Sequence, residues 1–354
     1  MADNVDPALR LLDHERLAAF VRRRQEAGLG DLHLDVRPLR GGLQAAAVAR
    51  VRARFVDGRG RRRSDVFVVK RLDGHAVREA AIYETLLAGV GAPAPRLLGV
   101  DGVGATTRYL YLEWVNPGRR WPWGHDEAAG AVLDQLAALH RSVPVAGSGA
   151  ALAEWDYEAE LVASARSTLS LLEAAAGDSG PIGDVPGFRR GRSALRRVAD
   201  ALPAIRRELL AARPFGVALV HGDAHPGNAL IRGRGPGSRA VLLDWARARR
   251  GSPLEDVSSW LQSLGYWELE ARRRHDTLLR RYLKARAFPA ELSRAVRDAY
   301  WLAAACNVLA GALRYHLSVA SGWGKPAATR RAGALRAARD CLRIVRRADA
   351  CWHR

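Results

Sequence analysis

The 354-residue chain is long enough for two domains or two lobes of one enzyme, and its 48% hydrophobic content excludes disorder throughout. Its net charge of +19, from 56 basic and 37 acidic residues, would ordinarily suggest a polyanionic partner. Only Lys70, Lys284 and Lys325 are lysines, however. The abundant arginine and 34 glycines match the usage of a GC-rich genome, so no nucleic-acid partner is expected.

In chain order, Pro7 to Ala27 has the apolar spacing of an amphipathic helix, with Leu9, Leu12, Leu17, Phe20 and Val21 on one side. Strands are expected over Val36–Val56, broken at Gly41-Gly42, and over the β-branched run Asp65–Lys70 (DVFVVK). A helix should follow from His75 to Leu87, ended by Pro93 and Pro95. Arg108–Val115 (RYLYLEWV) reads as another strand, closed by the turn Asn116-Pro117-Gly118. Beyond it the pattern turns helical: Glu127–His140, Trp155–Glu173, Arg189–Ala212, and Val257 to the end. Two short apolar runs, ALVHGD and AVLLDW, interrupt the helices between Ala218 and Trp245, with a hairpin-like turn at Gly233–Ser238. The expected architecture is a sheet-rich first part, residues 1–114 with the helix 7–27, followed by a mostly helical part, residues 115–354.

No uncharged run is long enough to span a membrane. The longest, Ala299–Leu313, falls short of the roughly 20 residues required and contains Asn307 and Gly311. MADNVDPALR has no apolar segment before Pro7, so no secretory signal is expected, and Cys306, Cys341 and Cys351 form neither an even disulfide framework nor a metal spacing. A cytoplasmic protein is the resulting expectation.

The segment VHGDAHPGNAL carries the densest chemistry. Asp223 and Asn228 stand five positions apart in a Gly/Pro-containing loop, and Asp244 follows an apolar run sixteen residues later. Phosphoryl transfer from ATP needs such groups. One carboxylate orients the attacking hydroxyl, while a second carboxylate and an amide hold Mg2+ against the phosphates. His221, Asp223 and His225 also suggest a metallohydrolase, but no companion His/Asp cluster completes such a site.

These residues give the chain its resemblance to the aminoglycoside phosphotransferase family, which shares a protein-kinase-like fold with choline kinases. The pattern H-G-D-x-H-x-x-N is matched by His221, Gly222, Asp223, His225 and Asn228. The following aspartate is matched by Asp244-Trp245, and G-x-P-x-x-D by Gly251, Pro253 and Asp256. All lie in register over 36 residues. The resemblance implies an α+β, bilobal fold with a small antiparallel-sheet lobe and a larger helical one. It implies an ATP- and Mg2+-dependent phosphotransferase with a small hydroxyl-bearing acceptor. Asp223 would be the catalytic carboxylate, Asn228 and Asp244 the metal ligands, and His221 and His225 would support the loop.

In the first part, the resemblance makes Lys70 the anchor of the ATP phosphates and Glu79 its partner. Glu84 is a rival, but Arg78-Glu79 with Tyr83 matches the family better. Gly41 and Gly42 fall where a phosphate-covering loop belongs, although no G-x-G-x-x-G is present. Leu112 and Trp114, around Glu113, would contact adenine through the backbone. Packing is the simpler role for His140, Trp121 and Trp123.

Substrate charge is the least determined point. From Trp245 to Arg354 there are 22 basic and 9 acidic residues, a field that repels a polycation. A neutral or anionic antibiotic, sugar or metabolite is therefore expected. An aminoglycoside remains the alternative, with Glu268, Glu270 and Asp276 available to receive it. A rival of another class is a non-catalytic basic protein that binds nucleic acid or another anion through Ala334–Ala350 and its five arginines.

Overall fold

The computed structural model describes residues 11–25, 30–39, 45–88, 91–104, 106–116, 118–123, 126–142, 156–175, 188–212, 215–289 and 291–354. The chain divides into two compact units. One comprises Met1–Trp121 with Asn228–Arg247, the other Pro122–Gly227 with Ala248–Arg354.

The first unit opens with helix α1, His14–Arg24, whose N-cap Asp13 accepts a hydrogen bond from Arg16 N–H at 3.1 Å. Glu15 in its first turn and Arg22–Arg24 in its last complement the helix dipole. Five antiparallel strands follow: β1 Gly30–Pro38, β2 Ala47–Val56, β3 Arg62–Asp73, β4 Leu97–Val103 and β5 Thr107–Glu113, in the order β1-β2-β3-β5-β4. Between β3 and β4 the expected helix forms with changing pitch. A 3-10 turn at Gly74–Val77 leads into α2, Arg78–Ile82, and then a π turn, Tyr83–Leu87.

Strand periodicity accounts for the core. Ala47, Ala49, Val51, Ala53 and Phe55 of β2 alternate inward and are buried, and Leu17, Phe20 and Val21 of α1 cover them. Phe20 lies flat on Tyr111, ring centroids 3.7 Å apart and planes at 4°. Gly99 admits this ring: a Cβ there would lie 3.0 Å from the Phe20 edge. β1 starts at Gly30, not near Val36, because Leu32, Leu34 and Val36 alternate toward the sheet core.

The second unit begins with helices α3, Asp126–Ser142, α4, Tyr157–Ala175, and α5, Phe188–Ala211, followed by the short strand β6, Ala218–Val220. The chain then returns to the first unit as a hairpin, β7 Ala229–Arg232 and β8 Arg239–Leu242, turned by a 3-10 segment at Gly235–Gly237. A bridge between Arg119 and Ile231, Leu242 N–H on the Pro93 carbonyl, and an Arg232–Glu113 ion pair at 2.9 Å bind this hairpin. Back in the second unit, β9, Arg249–Gly251, pairs with β6. Helices α6 Pro253–Trp267, α7 His275–Ala285, α8 Arg294–Asn307, α9 Leu313–Ala320 and α10 Ala328–Trp352 complete it. Among the described residues no helix is long and apolar enough to cross a membrane.

Phe20→Ala should cost about 3–5 kcal/mol, by emptying the space that Gly99 and Tyr111 frame. A thermal or denaturant unfolding curve of the full chain, compared with wild type, checks this.

Candidate active site

In the first unit the site is built around one ammonium group. Lys70 stands on β3 opposite Val48 and Leu110 and is only 8% exposed. A charge so buried needs partners. Its Nζ lies 2.5 Å from Glu79 Oε2 and 3.1 Å from Asp244 Oδ1. Burial by itself would lower the lysine's pKa. The charges of Glu79 and then Asp244 outweigh burial, and the pKa is raised above the usual lysine value.

Glu79, on α2, is 1% exposed, and its second oxygen accepts the backbone N–H of Trp245 at 3.1 Å. One carboxylate thus ties the lysine to the residue after Asp244. Arg78 adds a second tie, donating to the Ala246 carbonyl at 2.8 Å. Trp245 is fully buried, with its indole N–H on the Leu242 carbonyl at 2.9 Å. Asp244 itself has φ +63, a left-handed conformation uncommon outside glycine and characteristic of strained functional positions. Leu243 N–H bonds the Asn228 carbonyl at 2.8 Å, extending the β7–β8 ladder by one rung. That rung brings Asn228 and Asp244, sixteen residues apart in sequence, to the same end of the hairpin.

In the second unit the loop after β6 hangs on a buried carboxylate. Asp256, fully buried near the start of α6, accepts N–H from His221 at 2.6 Å and from Gly222 at 2.8 Å. His140 Nε2 donates to it from 3.1 Å, and the Tyr282 hydroxyl lies 2.8 Å from the other His140 nitrogen. Gly222 has φ +81, which glycine adopts without steric cost. Burial would raise the Asp256 pKa, but the hydrogen bond and charge of His140 and the backbone donors bring it below 3.8.

Beyond that anchor, His221 Nδ1 accepts the Asp223 N–H at 3.2 Å, and His225 Nδ1 accepts Gly227 N–H at 3.0 Å. His225 Nε2 lies 3.7 Å from Asp223 Oδ2, close but beyond a hydrogen bond. A buried ion triad braces the same loop. Arg206 and Arg249 both bind Glu255, Arg249 crosses the Tyr157 ring at 3.8 Å, and one of its nitrogens is 3.5 Å from the Gly222 carbonyl.

The remaining expected positions are placed as follows. Leu112 is buried in β5, and the N–H of Glu113 is taken by the Arg96 carbonyl. The ring of Trp114 lies 5.4 Å below the Arg50 guanidinium. Gly41 and Gly42 lie outside the described residues. Glu84 is exposed on the π turn, whereas Glu79 meets the lysine. Trp123 packs on Trp260, ring centroids 5.8 Å apart. No three His, Cys, Asp or Glu side chains cluster as metal ligands among the described residues. Sequence reasoning assigned no role to Arg206, Arg249, Glu255 or Tyr282. In so arginine-rich a chain, only burial distinguishes these arginines. Asp256 carried a signal in its G-x-P-x-x-D pattern.

The sequence matches the profile of the phosphotransferase enzyme family over residues 35–293. In fold, the chain is similar to a choline/ethanolamine kinase family protein from Mesorhizobium loti, with 18% identity, TM-score 0.57, and coverage of 95% of this chain and 97% of that one. It is also similar to a spectinomycin phosphotransferase in complex with ADP and spectinomycin, with 12% identity, TM-score 0.56, and coverage of 96% and 99%. An amicoumacin kinase in complex with AMP-PNP and Ca2+ gives 13% identity, TM-score 0.56, and coverage of 94% and 96%. No curated protein sequence matches the chain.

Asp256→Ala leaves two backbone donors and His140 without their acceptor and should cost about 3 kcal/mol at pH 7. Because folding lowers the Asp256 pKa, its contribution is present above the unfolded value near 3.8 and is lost as pH falls through the folded value. Unfolding curves across pH should therefore show the deficit in full at pH 7 and shrinking below pH 3.8.

Proposed function

Because the chain belongs to the phosphotransferase enzyme family, we propose that it transfers the γ-phosphate of ATP, with Mg2+, to a hydroxyl of a small neutral or anionic acceptor. The observation that carries this reading is the buried Lys70 shared between Glu79 and Asp244. A lysine fixed this way presents a compact positive charge for the ATP phosphates. The first unit would hold the nucleotide, with Leu112 and Trp114 at the adenine.

The donor set fits Mg2+. Asp244 offers a carboxylate and Asn228 an amide oxygen, both hard ligands at one end of the hairpin. Magnesium takes few protein ligands beside water and phosphate. When bound, the ion would neutralise charge on the phosphates. Asp223 orients the acceptor hydroxyl and accepts its proton, held in place by the His221 and Asp256 contacts beneath it. Two similar structures contain adenine nucleotides, ADP in one and AMP-PNP in the other, which supports the nucleotide assignment. Their acceptors, spectinomycin and amicoumacin, make an antibiotic one candidate class. Buried thiols at Cys306 and Cys341 suit a reducing, cytoplasmic setting.

Local charge supports a neutral or anionic acceptor over a polycation. Each of the three carboxylates available to an aminoglycoside has an arginine partner: Glu268 with Arg274 at 3.6 Å, Glu270 with Arg273 at 3.1 Å, and Asp276 with Arg297 at 3.1 Å. Capture of a polycation would have to displace these cations. The anion-binding alternative has less support. On α10, Arg343 pairs with Asp340 at 3.0 Å and Arg347 covers Trp301 at 4.4 Å.

Asp223→Asn should lower kcat by roughly 10²–10⁴-fold with Mg2+-ATP affinity intact, whereas Asp244→Asn should weaken Mg2+-ATP binding itself. Titration calorimetry and single-turnover assays on both variants check the pair, and undiminished turnover in Asp223→Asn sinks the reading. A phosphate-transfer screen over aminoglycosides, macrolides, nucleoside antibiotics, sugars and amino alcohols should give its highest kcat/KM outside the aminoglycosides. A polycation at the top would show that the paired carboxylates yield to it.

A further inference from the structure

Single apolar side chains on a surface need no explanation, but a contiguous group of them does. In the second unit, Tyr266 and Trp267 are the last two residues of α6 and are 44% and 49% exposed. Their rings stand at 88° with centroids 6.1 Å apart. On α9, the His316 ring lies 5.7 Å from Tyr266 and 5.3 Å from Tyr315, which is 43% exposed. Four rings from two helices thus form one half-open aromatic shelf.

The shelf shares its helix with the support of the catalytic loop. Asp256, Trp260 and Trp267 recur at helical spacing along one side of α6. Asp256 and Trp260 are fully buried, and the line reaches solvent at Trp267. At 1.5 Å per residue, Trp267 stands about 16 Å along α6 from Asp256. The Asp256 carboxylate holds the backbone of His221 and Gly222, and Asp223 comes next. Such a span suits a molecule of two or three rings with its hydroxyl at Asp223, and exceeds a single sugar.

Size and charge narrow the occupant. Three half-exposed aromatic side chains offer about 300 Å2, well short of the ~800 Å2 that a protein partner covers on each side of a stable interface. A quaternary ammonium would suit aromatic rings beside an uncommitted carboxylate. Here Glu268, next after Trp267, has Arg274 at 3.6 Å, and Arg330 donates to the Tyr315 hydroxyl at 3.2 Å. Burial lowers the His316 pKa, so that ring is neutral at pH 7. We propose that the shelf receives the far end of the phosphate acceptor, and that the acceptor carries a flat, uncharged aromatic or heteroaromatic group that packs on Tyr266 and Trp267. This placement rests on the phosphotransferase reading above and narrows its acceptor class.

The test compares 2-naphthyl β-D-glucoside with methyl β-D-glucoside, which differ only in the group attached to the sugar. Binding is followed by saturation-transfer NMR, without nucleotide, in the full-length wild type, Trp267→Ala and Trp267→Phe. The naphthyl compound should bind the wild type at least tenfold tighter than the methyl one, through ring burial and stacking. Trp267→Ala should lose that advantage and Trp267→Phe should keep most of it. Equal binding of the two glucosides, or naphthyl binding unaltered in Trp267→Ala, overturns the proposal. In a phosphate-transfer screen the acceptor with the highest kcat/KM should carry a flat ring, and its KM should rise about tenfold in Trp267→Ala. A best acceptor without such a ring, choline included, also overturns it. If the wild type binds no Mg2+-AMP-PNP, the ATP reading falls and the acceptor role falls with it. If it binds the nucleotide and the glucosides fail, the shelf alone is overturned.

Discussion

A positive charge buried beside two negative ones is the constraint from which the first unit's site follows. Lys70 can be buried on β3 because Glu79 and Asp244 meet it, and the lysine in turn offsets the charge of the buried Glu79 and the half-buried Asp244. Removing either side leaves an isolated charge in a poorly solvated place, so the three residues specify one another. Through Glu79 the constraint reaches the Trp245 backbone, and there it supports the left-handed turn at Asp244. The sheet supplies the rigidity: β3 lies between β2 and β5, with Lys70 paired on both sides.

The second unit solves a similar problem with the signs reversed. Asp256 is the buried charge, and it is satisfied by backbone N–H groups and a histidine. A carboxylate that accepts consecutive backbone donors fixes the path of the chain at His221 and Gly222. The side chain of Asp223, next in line, takes its position from that backbone. The Arg206–Glu255–Arg249 triad beside it adds stiffness more than stability, since buried ion networks offset much of their Coulomb energy with desolvation.

How much of this was legible in the sequence depended on whether the physics is local. The strand at Asp65–Lys70 and the helices of the second unit show in the residues themselves, through a β-branched run and helical spacing. β4 does not: LLGVDGV contains Asp101 and two glycines, and it is a strand because β5 pairs with it and Phe20 needs the space at Gly99. β9 is hidden for a different reason. Its sequence, RRG, looks solvent-exposed, yet Arg249 is 4% exposed because Glu255 and the Tyr157 ring receive it. Lys70 was visible as a rare lysine among arginines, and Asp223, Asn228 and Asp244 by spacing. The Glu79–Trp245 bond was not, because a side chain reaching backbone 166 residues away leaves no pattern in either segment.

The arginine excess shows why a net charge needs the structure before it says anything about a partner. Read as a sum, +19 describes a strongly basic molecule. Read residue by residue, many of the 56 basic side chains behind that sum are already paired, and the +19 is the excess left after all 37 acidic residues are counted. Arg197 holds Asp349, Arg272 holds Asp340, Arg281 holds Asp134, and Arg354 holds Asp298, with the guanidinium on the carboxylate in each case. Exposed pairs of this kind add little stability, but they do cancel field at short range. An approaching ligand therefore meets a surface of paired charges with the positive remainder distributed over it. Long-range steering and close-range recognition then have different sources. The residual arginine charge repels a distant polycation, while at contact each of these carboxylates already has an arginine on it. Both effects act in the same direction.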